Sequence, residues 1–366
     1  MNWTVERLAK LRLARTTGIG PLTFQKLLEK HSTAIEALAE LPERAKQAGR
    51  RSLAIPDRSR IEREVRETEA FGAQIVFPGD DHYPTLLAEL SPPPPVLTLL
   101  GRPELAARPC VAMVGARNAS AAGMKIAREM AAELGEKGWV VVSGLARGVD
   151  TAAHNGALQT GTISVIAGGI DNIYPPQNES LYRSVSEQGL LVCENPVGFS
   201  PRAKDFPRRN RLITGLSLGV VVVEAALKSG SLISARTALE QGREVMAVPG
   251  SPLDPRSRGS NGLIRSGASL VETSSDVLDI LSPMQVQEQR QMDFLFSDSH
   301  EDEFVSEDAL PEPEALLGYL SAVPVSITDL SRASDIPDRH CASLLVELEL
   351  SGKVRSLPGG LVQKAL

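Results

Sequence analysis

Cys110-Val111-Ala112-Met113-Val114 is the first of six short runs that are apolar and rich in β-branched residues. The others are Trp139 to Ser143, Thr162 to Ile166, Leu190 to Cys193, Val220 to Val223 and Val245 to Val248, and the stretches between them are long enough for helices. A strand with one wet face alternates apolar and polar residues, whereas a run apolar throughout is buried on both faces. Strands of this kind alternating with helices predict a doubly wound, mostly parallel α/β sheet with right-handed crossovers, a Rossmann-like domain over 109–282. Ligands of such sheets lie beyond the carboxyl ends of the strands, so the loops after these runs carry the functional argument.

Upstream, Ser91-Pro92-Pro93-Pro94-Pro95 fixes an extended connector, placed within a connecting segment over 71–108. Before it, Val5 to Ala14 has helical spacing, and Gly18-Ile19-Gly20-Pro21 is followed by Leu22, Phe24, Leu27 and Leu28 at helical intervals. Helix, tight turn, helix is the expectation, giving a helix-hairpin-helix or SAM-like domain over 1–70. Such a turn can present backbone N–H groups to a DNA phosphate. It can equally be a packing module, because no Lys or Arg sits inside it.

Downstream, residues 285–314 hold ten acidic residues against one arginine, a local charge of −9 that leaves the rest of the chain at +3 against a total of −6. That density of like charge predicts a disordered linker over 283–314. Beyond it, Ala315 to Leu320, Ile327 to Ser331 and Pro337 to Leu350 read as helices, followed by a hairpin turning at Pro358-Gly359-Gly360. A winged-helix domain over 315–366 is expected. Its third helix mixes Asp338, Glu347 and Glu349 with Arg339 and His340, so a protein contact or a purely structural role stands beside DNA reading.

The 366 residues are 42% hydrophobic and 23% charged, an ordinary globular balance. No apolar run reaches the roughly 18 residues of a membrane helix. The start, Met1 to Glu6, has no basic region followed by an apolar stretch, so a cytoplasmic protein is expected. Cys110, Cys193 and Cys341 are odd in number and widely spaced among apolar neighbours, which fits buried thiols.

At the strand ends the first loop reads Gly115-Ala116-Arg117-Asn118, with Ser120 as helix cap and Gly123 beyond. Gly-x-Gly-x-x-Gly is not kept, and the second strand ends in Ser143-Gly144 rather than a ribose-binding acid, so NAD is disfavoured. Arg117 beside a helix start suits a phosphate, or is a plain surface arginine. Asp150 and His154 lie four residues apart; a catalytic dyad is conceivable, but a capping Asp150 and an internally satisfied histidine is preferred. Asn178 is a candidate cap after the third strand. Arg202 to Arg211 holds five basic residues against one acid, with Phe206 among them as a face for base stacking and a helix expected from Pro207. Arg209 and Arg211 are alternatively partners for an internal acid such as Glu224. Glu224, before Ser229-Gly230-Ser231, is a possible catalytic acid, but better suited to ordering the arginines. No P-loop, His-Glu-x-x-His, Cys-x-x-Cys or Gly-x-Ser-x-Gly motif occurs.

The loops together resemble the DNA-processing protein A (DprA/Smf) family. The resemblance rests on Val114 to Arg117, Ser143 to Asp150 with Ala153-His154, Phe206 to Ile213, Val223 to Ala225 with Ser229 to Leu232, Gly242 to Val245 with Val248 to Gly250, and Gly259 to Asn261 with Leu263-Ile264, all in order. It implies a non-catalytic recombination mediator that binds and protects single-stranded DNA and helps a RecA-type recombinase displace single-strand-binding protein. A homodimer through the Rossmann-like domain is implied as well, with no cofactor, metal or membrane insertion. Cys193 stands where the family commonly has serine.

The candidate strand-binding set is Gly115, Arg117, Asn118, Ser143, Gly144, Lys204, Phe206, Arg208, Arg209, Asn210 and Arg211, with Asp150, Glu224 and Ser231 as structural support. An alternative is a nucleotide hydrolase of the lysine-decarboxylase-like group working through Glu224 and Arg117. A third reading makes the acidic linker and C-terminal domain a module for a protein partner, compatible with the first.

Overall fold

The computed structural model describes residues 3–47 and 54–283, and within 314–365 all but 322, 335, 337–340, 342–343, 346–347, 350 and 358–360. Two compact units are distinguished, one up to residue 291 and one from residue 292. The acidic linker, most of the expected third helix and the turn at Pro358 to Gly360 fall outside the described residues.

The first unit begins with α1 (Val5–Ala14), α2 (Pro21–Lys30), α3 (Ala34–Gln47) and α4 (Arg58–Ala70). Thr4 caps α1 by accepting from the Arg7 N–H, and Pro21 occupies the first turn of α2, where its missing N–H costs nothing. α1 has two apolar stripes. Ala9 and Leu13 pack with Phe24, Leu27, Ala37 and Leu41 of the hairpin, while Leu8 and Leu11 pack with Ile61, Val65, Ile75, Phe77 and Val96.

That second stripe leads into the sheet. β1 (Gln74–Val76) is followed by α5 (Thr85–Ala88), β2 (Leu97–Gly101), β3 (Cys110–Val114), α6 (Ala121–Glu136), β4 (Val140–Ser143), α7 (Val149–Ala157) and β5 (Thr162–Val165). Then come α8 (Glu179–Gln188), β6 (Leu190–Cys193), α9 (Asp205–Gly215), β7 (Gly219–Val222), α10 (Gly230–Glu240), β8 (Glu244–Ala247), α11 (Arg258–Arg265) and β9 (Ser269–Leu270). They form a nine-stranded sheet in the order β1-β2-β6-β5-β4-β3-β7-β8-β9. From β6 to β9 every pairing is parallel, and β1–β2 and β2–β6 are antiparallel.

The six expected runs are β3 to β8, within one residue at each end, because each is buried on both faces. The alternate faces divide between two clusters, Val140, Val142, Val220 and Val222 in one and Val111, Met113, Val141 and Val221 in the other. Burying each such side chain contributes about 1.5–3 kcal/mol.

The connecting segment over 71–108 is a correction. It supplies β1 and β2, with Leu99 opposite Val192 and Thr98 opposite Cys193, so it closes one edge of the sheet. The proline run ends one residue before Val96 and imposes no break on the strand that follows. The helices of 1–70 likewise belong to the same compact unit as the sheet. Arg15 ties them, its Nε donating to Glu64 (2.8 Å) and its Nη1 to the Glu194 carbonyl beyond β6 (2.7 Å).

The second unit contains α12 (Glu314–Leu317), β10 (Val325–Ser326), α13 (Ile327–Ser334), β11 (Val354–Leu357) and β12 (Leu361–Lys364). Its antiparallel sheet, ordered β10-β12-β11, closes a core of Leu316, Leu330, Leu348, Val354 and Val362. All three cysteines are buried, and burial pushes the Cys193 thiol up to about 12. No helix among the described residues is long and apolar enough to cross a membrane.

Candidate nucleic-acid interface at the crest of the sheet

The chain winds from β3 outward through β4 and β5 to β6, then returns to lay β7 against the other side of β3. The loops after β3 and β7 therefore diverge, and a cleft of about 720 Å³ opens between them, with an adjoining recess of about 280 Å³ toward the loops after β4 and β5. Such a switch point is where open α/β sheets place their ligands.

Below the cleft lies a buried polar layer. The Gly144 peptide is held from both sides: its N–H donates to Asp150 (3.2 Å) and its carbonyl accepts from Arg209 Nη1 (2.7 Å). Asp150 also accepts from the Ala146 N–H (3.2 Å), and Arg209 donates to the Val165 carbonyl. A Cβ at position 144 would lie 2.5 Å from the Arg209 guanidinium, so only glycine leaves room for that arginine. Gly148 has φ +76° and faces the Ala116 carbonyl, again a place for glycine alone. Leu145 is held at φ 59° in the left-handed region, a strain of about 1–2 kcal/mol. Asn178 Nδ2 fixes it by donating to the Leu145 carbonyl (2.8 Å) and to Thr151 (2.9 Å).

Burial governs the electrostatics of this layer. It pushes the Asp150 carboxyl up, against the pull of Arg209 and the two N–H donors, and draws Arg209 down to about 10, which leaves it charged at neutral pH. His154, fully buried, is driven down to about 3 by burial and then by the Arg209 charge. The Thr162 hydroxyl donates to the Val141 carbonyl (2.8 Å), so it accepts from His154 Nδ1–H (2.7 Å) and fixes the neutral tautomer. His154 Nε2 has no partner among the described residues, so the histidine is satisfied on one side only. Asp150 and His154 bond to different groups and form no dyad.

Several expected roles are corrected here. Asp150 sits inside the first turn of α7 and holds the crest loop instead of capping the helix. Asn178 precedes α8 without a side-chain cap bond. Glu224 forms no ion pair with an arginine among the described residues: its two oxygens accept from the Ser120 N–H (2.9 Å) and hydroxyl (2.5 Å), while Ser120 caps α6 through the Gly123 N–H. A carboxylate occupied in this way anchors the helix start and is not poised as a catalytic acid. Ser143 is buried, its hydroxyl donating to the Met113 carbonyl (2.7 Å).

The basic run divides in two, because α9 begins at Asp205 and not at Pro207. Phe206, Arg209 and Asn210 face the crest cleft. Lys204 and Arg208 face a different cleft, against the helical hairpin. Arg211 is paired with Glu194. Of the remaining candidates, Gly115, Arg117 and Ser231 line the crest cleft, Gly144 lines the recess, and Asn118 is exposed without lining either. Ser231 is tied to Ser229, the cap of α10, with their hydroxyls 2.6 Å apart.

At the rim, Arg117 places its guanidinium 5.4 Å from the centre of the Phe206 ring, and Tyr174 meets the same ring at 5.2 Å with an interplanar angle of 50°. Tyr174 and the exposed Lys228 and Arg147 line these clefts too, and sequence reasoning missed all three as site residues. An aromatic just before Pro175-Pro176 at a strand end was the available signal for Tyr174.

Residues 74–282 match the family model for DNA recombination-mediator protein A, residues 4–66 the DprA-like N-terminal HHH domain, and residues 303–360 the DprA winged helix domain. Protein Smf of Escherichia coli (strain K12) is 42% identical over 261 residues, covering 69% of this chain and 67% of that protein. DNA processing protein DprA of Streptococcus pneumoniae is 45% identical over 201 residues, covering 54% of this chain and 71% of that protein. The X-ray structure of DNA processing protein A from Streptococcus pneumoniae superposes with a TM-score of 0.66 at 36% identity, covering 76% of this chain and 98% of that one. DNA processing protein A from Helicobacter pylori, solved for its single-stranded DNA binding mode, gives a TM-score of 0.53 at 30% identity over 58% of this chain and 96% of that one. With family models matching most of its length, this chain belongs to the DprA/Smf family of DNA recombination-mediator proteins.

Proposed function

We propose that the crest cleft binds single-stranded DNA, and that the protein acts without catalysis as a mediator that protects such strands and loads a RecA-type recombinase onto them in place of single-strand-binding protein. The observation that carries this reading is the Phe206 ring, met by Arg117 and Tyr174 at the mouth of a switch-point cleft. A base stacks on an aromatic face only when it is unpaired, and a guanidinium beside it takes the adjoining phosphate. Arg117, Lys228 and Arg147 are the phosphate-facing cations of this reading. Asp150, Arg209, Ser143 and Glu224 hold the loops, and Asn210 and Ser231 line the floor. The Helicobacter pylori relative, with its single-stranded DNA binding mode, supports it.

The reading includes a cytoplasmic homodimer formed through the sheet domain. β9 ends the sheet with two residues, and Leu227 (64% exposed) and Leu270 (50%) line one hollow there, leaving apolar surface of the kind a symmetric second copy covers.

Fluorescence anisotropy of labelled oligo-dT against duplex over a salt series tests the function. Tight, salt-sensitive preference for the single strand is expected, and Arg117→Ala should weaken it while lowering the salt slope by about 0.7, one phosphate contact. Equal affinity for duplex, or an unchanged slope in the variant, would remove the crest as the binding site.

A further inference from the structure

The basic run from Arg202 to Arg211 contributes to both sides of one helix start. Ala203, Phe206 and Pro207 line the crest cleft, whereas Arg202, Lys204 and Arg208 line a second cleft of about 790 Å³ on the other side. Its far wall is the Gly18-Ile19 turn of the helical hairpin together with α4, which adds Arg60 and Arg63.

These five cations are exposed, and none is in an ion pair among the described residues. The acids of the same cleft are mostly engaged: Glu64 with Arg15, Glu194 with Arg211, and Asp205 with the Arg202 N–H (2.8 Å). Glu67 alone has no described partner. The cleft is therefore open to an anion along its length, with its positive groups unneutralised. The arginines that are paired, Arg15 and Arg211, act as struts that fix its walls.

We propose that a DNA strand held at the crest continues around the start of α9 into this second cleft, so that each chain grips two stretches of phosphodiester backbone. The inference rests on the reading of the crest as a single-strand site. A flexible polyanion with one charge per nucleotide can turn across the helix start, where Phe206 on one side and Arg208 on the other are two residues apart. A stiff duplex cannot make that turn. The helical hairpin then acts as a second wall of the DNA path.

The test compares two lengths of oligo-dT, about six and about twenty nucleotides, bound to the full chain. Arg60→Glu with Arg63→Glu should leave the short oligonucleotide bound as in the wild type. It should weaken the long one about tenfold and lower its salt slope by about 1.4, two phosphate contacts. Arg117→Ala should weaken both lengths. Long-strand binding unchanged in the α4 variant, with Arg117→Ala still weakening both, would overturn the second cleft and leave the crest reading standing. Unchanged binding of both lengths in Arg117→Ala would instead overturn the crest. Should the charge reversal disturb short-strand binding too, Arg60→Gln with Arg63→Gln decides: a loss confined to the long strand supports the proposal, and equal losses overturn it.

Discussion

Arg209 and Arg117 border the same cleft and serve opposite ends. Arg209 is 7% exposed and aims its guanidinium at two backbone carbonyls beneath the crest; Arg117 is exposed and lies on an aromatic ring at the rim. Burial decides the difference. A guanidinium removed from water turns its donors on the protein, as Arg209 Nη1 does on two carbonyls while its Nε is left without a partner among the described residues, so it becomes part of the scaffold; one at the surface keeps donors for a ligand. The crest thus has a dry layer that sets the loops and a wet layer whose rim, the exposed Arg117 with Phe206, is the part proposed to meet the strand.

The largest expected effect breaks the dry layer. Arg209→Ala leaves Asp150 buried without its nearby positive charge and Gly144 O without its donor, and should cost about 3 kcal/mol or more of stability. Thermal unfolding would show it as a clear drop in Tm, accompanied by lost DNA binding. An Arg209→Ala variant that unfolds like the wild type would mean that the two layers are not distinct. In the wet layer, Phe206→Ala should leave Tm nearly unchanged and weaken single-strand binding by about 1–3 kcal/mol, the worth of one stacked base. A fall in Tm comparable with that of Arg209→Ala would assign Phe206 to the scaffold.

The smallest effect sharpens the comparison through pH. His154 falls from 6.5 to about 3 on folding, so its folded form resists protonation that the unfolded chain accepts. Its contribution is whole above pH 6.5 and is lost as pH falls toward 3. Between pH 7 and 5.5 the loss is about 1 kcal/mol, and His154→Gln should remove that part of the stability profile in denaturant titrations. DNA affinity at saturating protein stability should not follow it, because His154 touches only the dry layer.

Much of this was legible in the chain. β3 to β8 announce themselves because a strand covered on both faces carries few polar positions, and those inside it, such as Ser143, Thr162 and Ser164, are small and buried. β1 and β2 do not: three and five residues long, they follow a helix end and a proline run, and β2 joins the sheet only through β6, far away in sequence. β9, two residues long, offers no pattern. At the site, Arg117 and Phe206 could be chosen on chemistry alone. The division of the basic run could have been seen from helical spacing, since 206, 209 and 213 fall on one face and 204, 208 and 211 on the other. What Arg211 pairs with could not be read, because Glu194 lies on the preceding strand end and is brought near only by the fold.

The pairing of β2 with β6 sets where this molecule can be divided. A chain begun at residue 109 would bare the Leu190–Cys193 edge, a ladder of open donors and acceptors in an apolar setting that invites another copy to add itself edgewise. Residues 74–101 are thus the sheet's own guard against polymerisation, and because Leu8, Leu11, Ile61 and Val65 pack on that guard, the helices before it are bound to the same task. A shortened relative would need some other cover for that edge before it could dispense with the N-terminal helices.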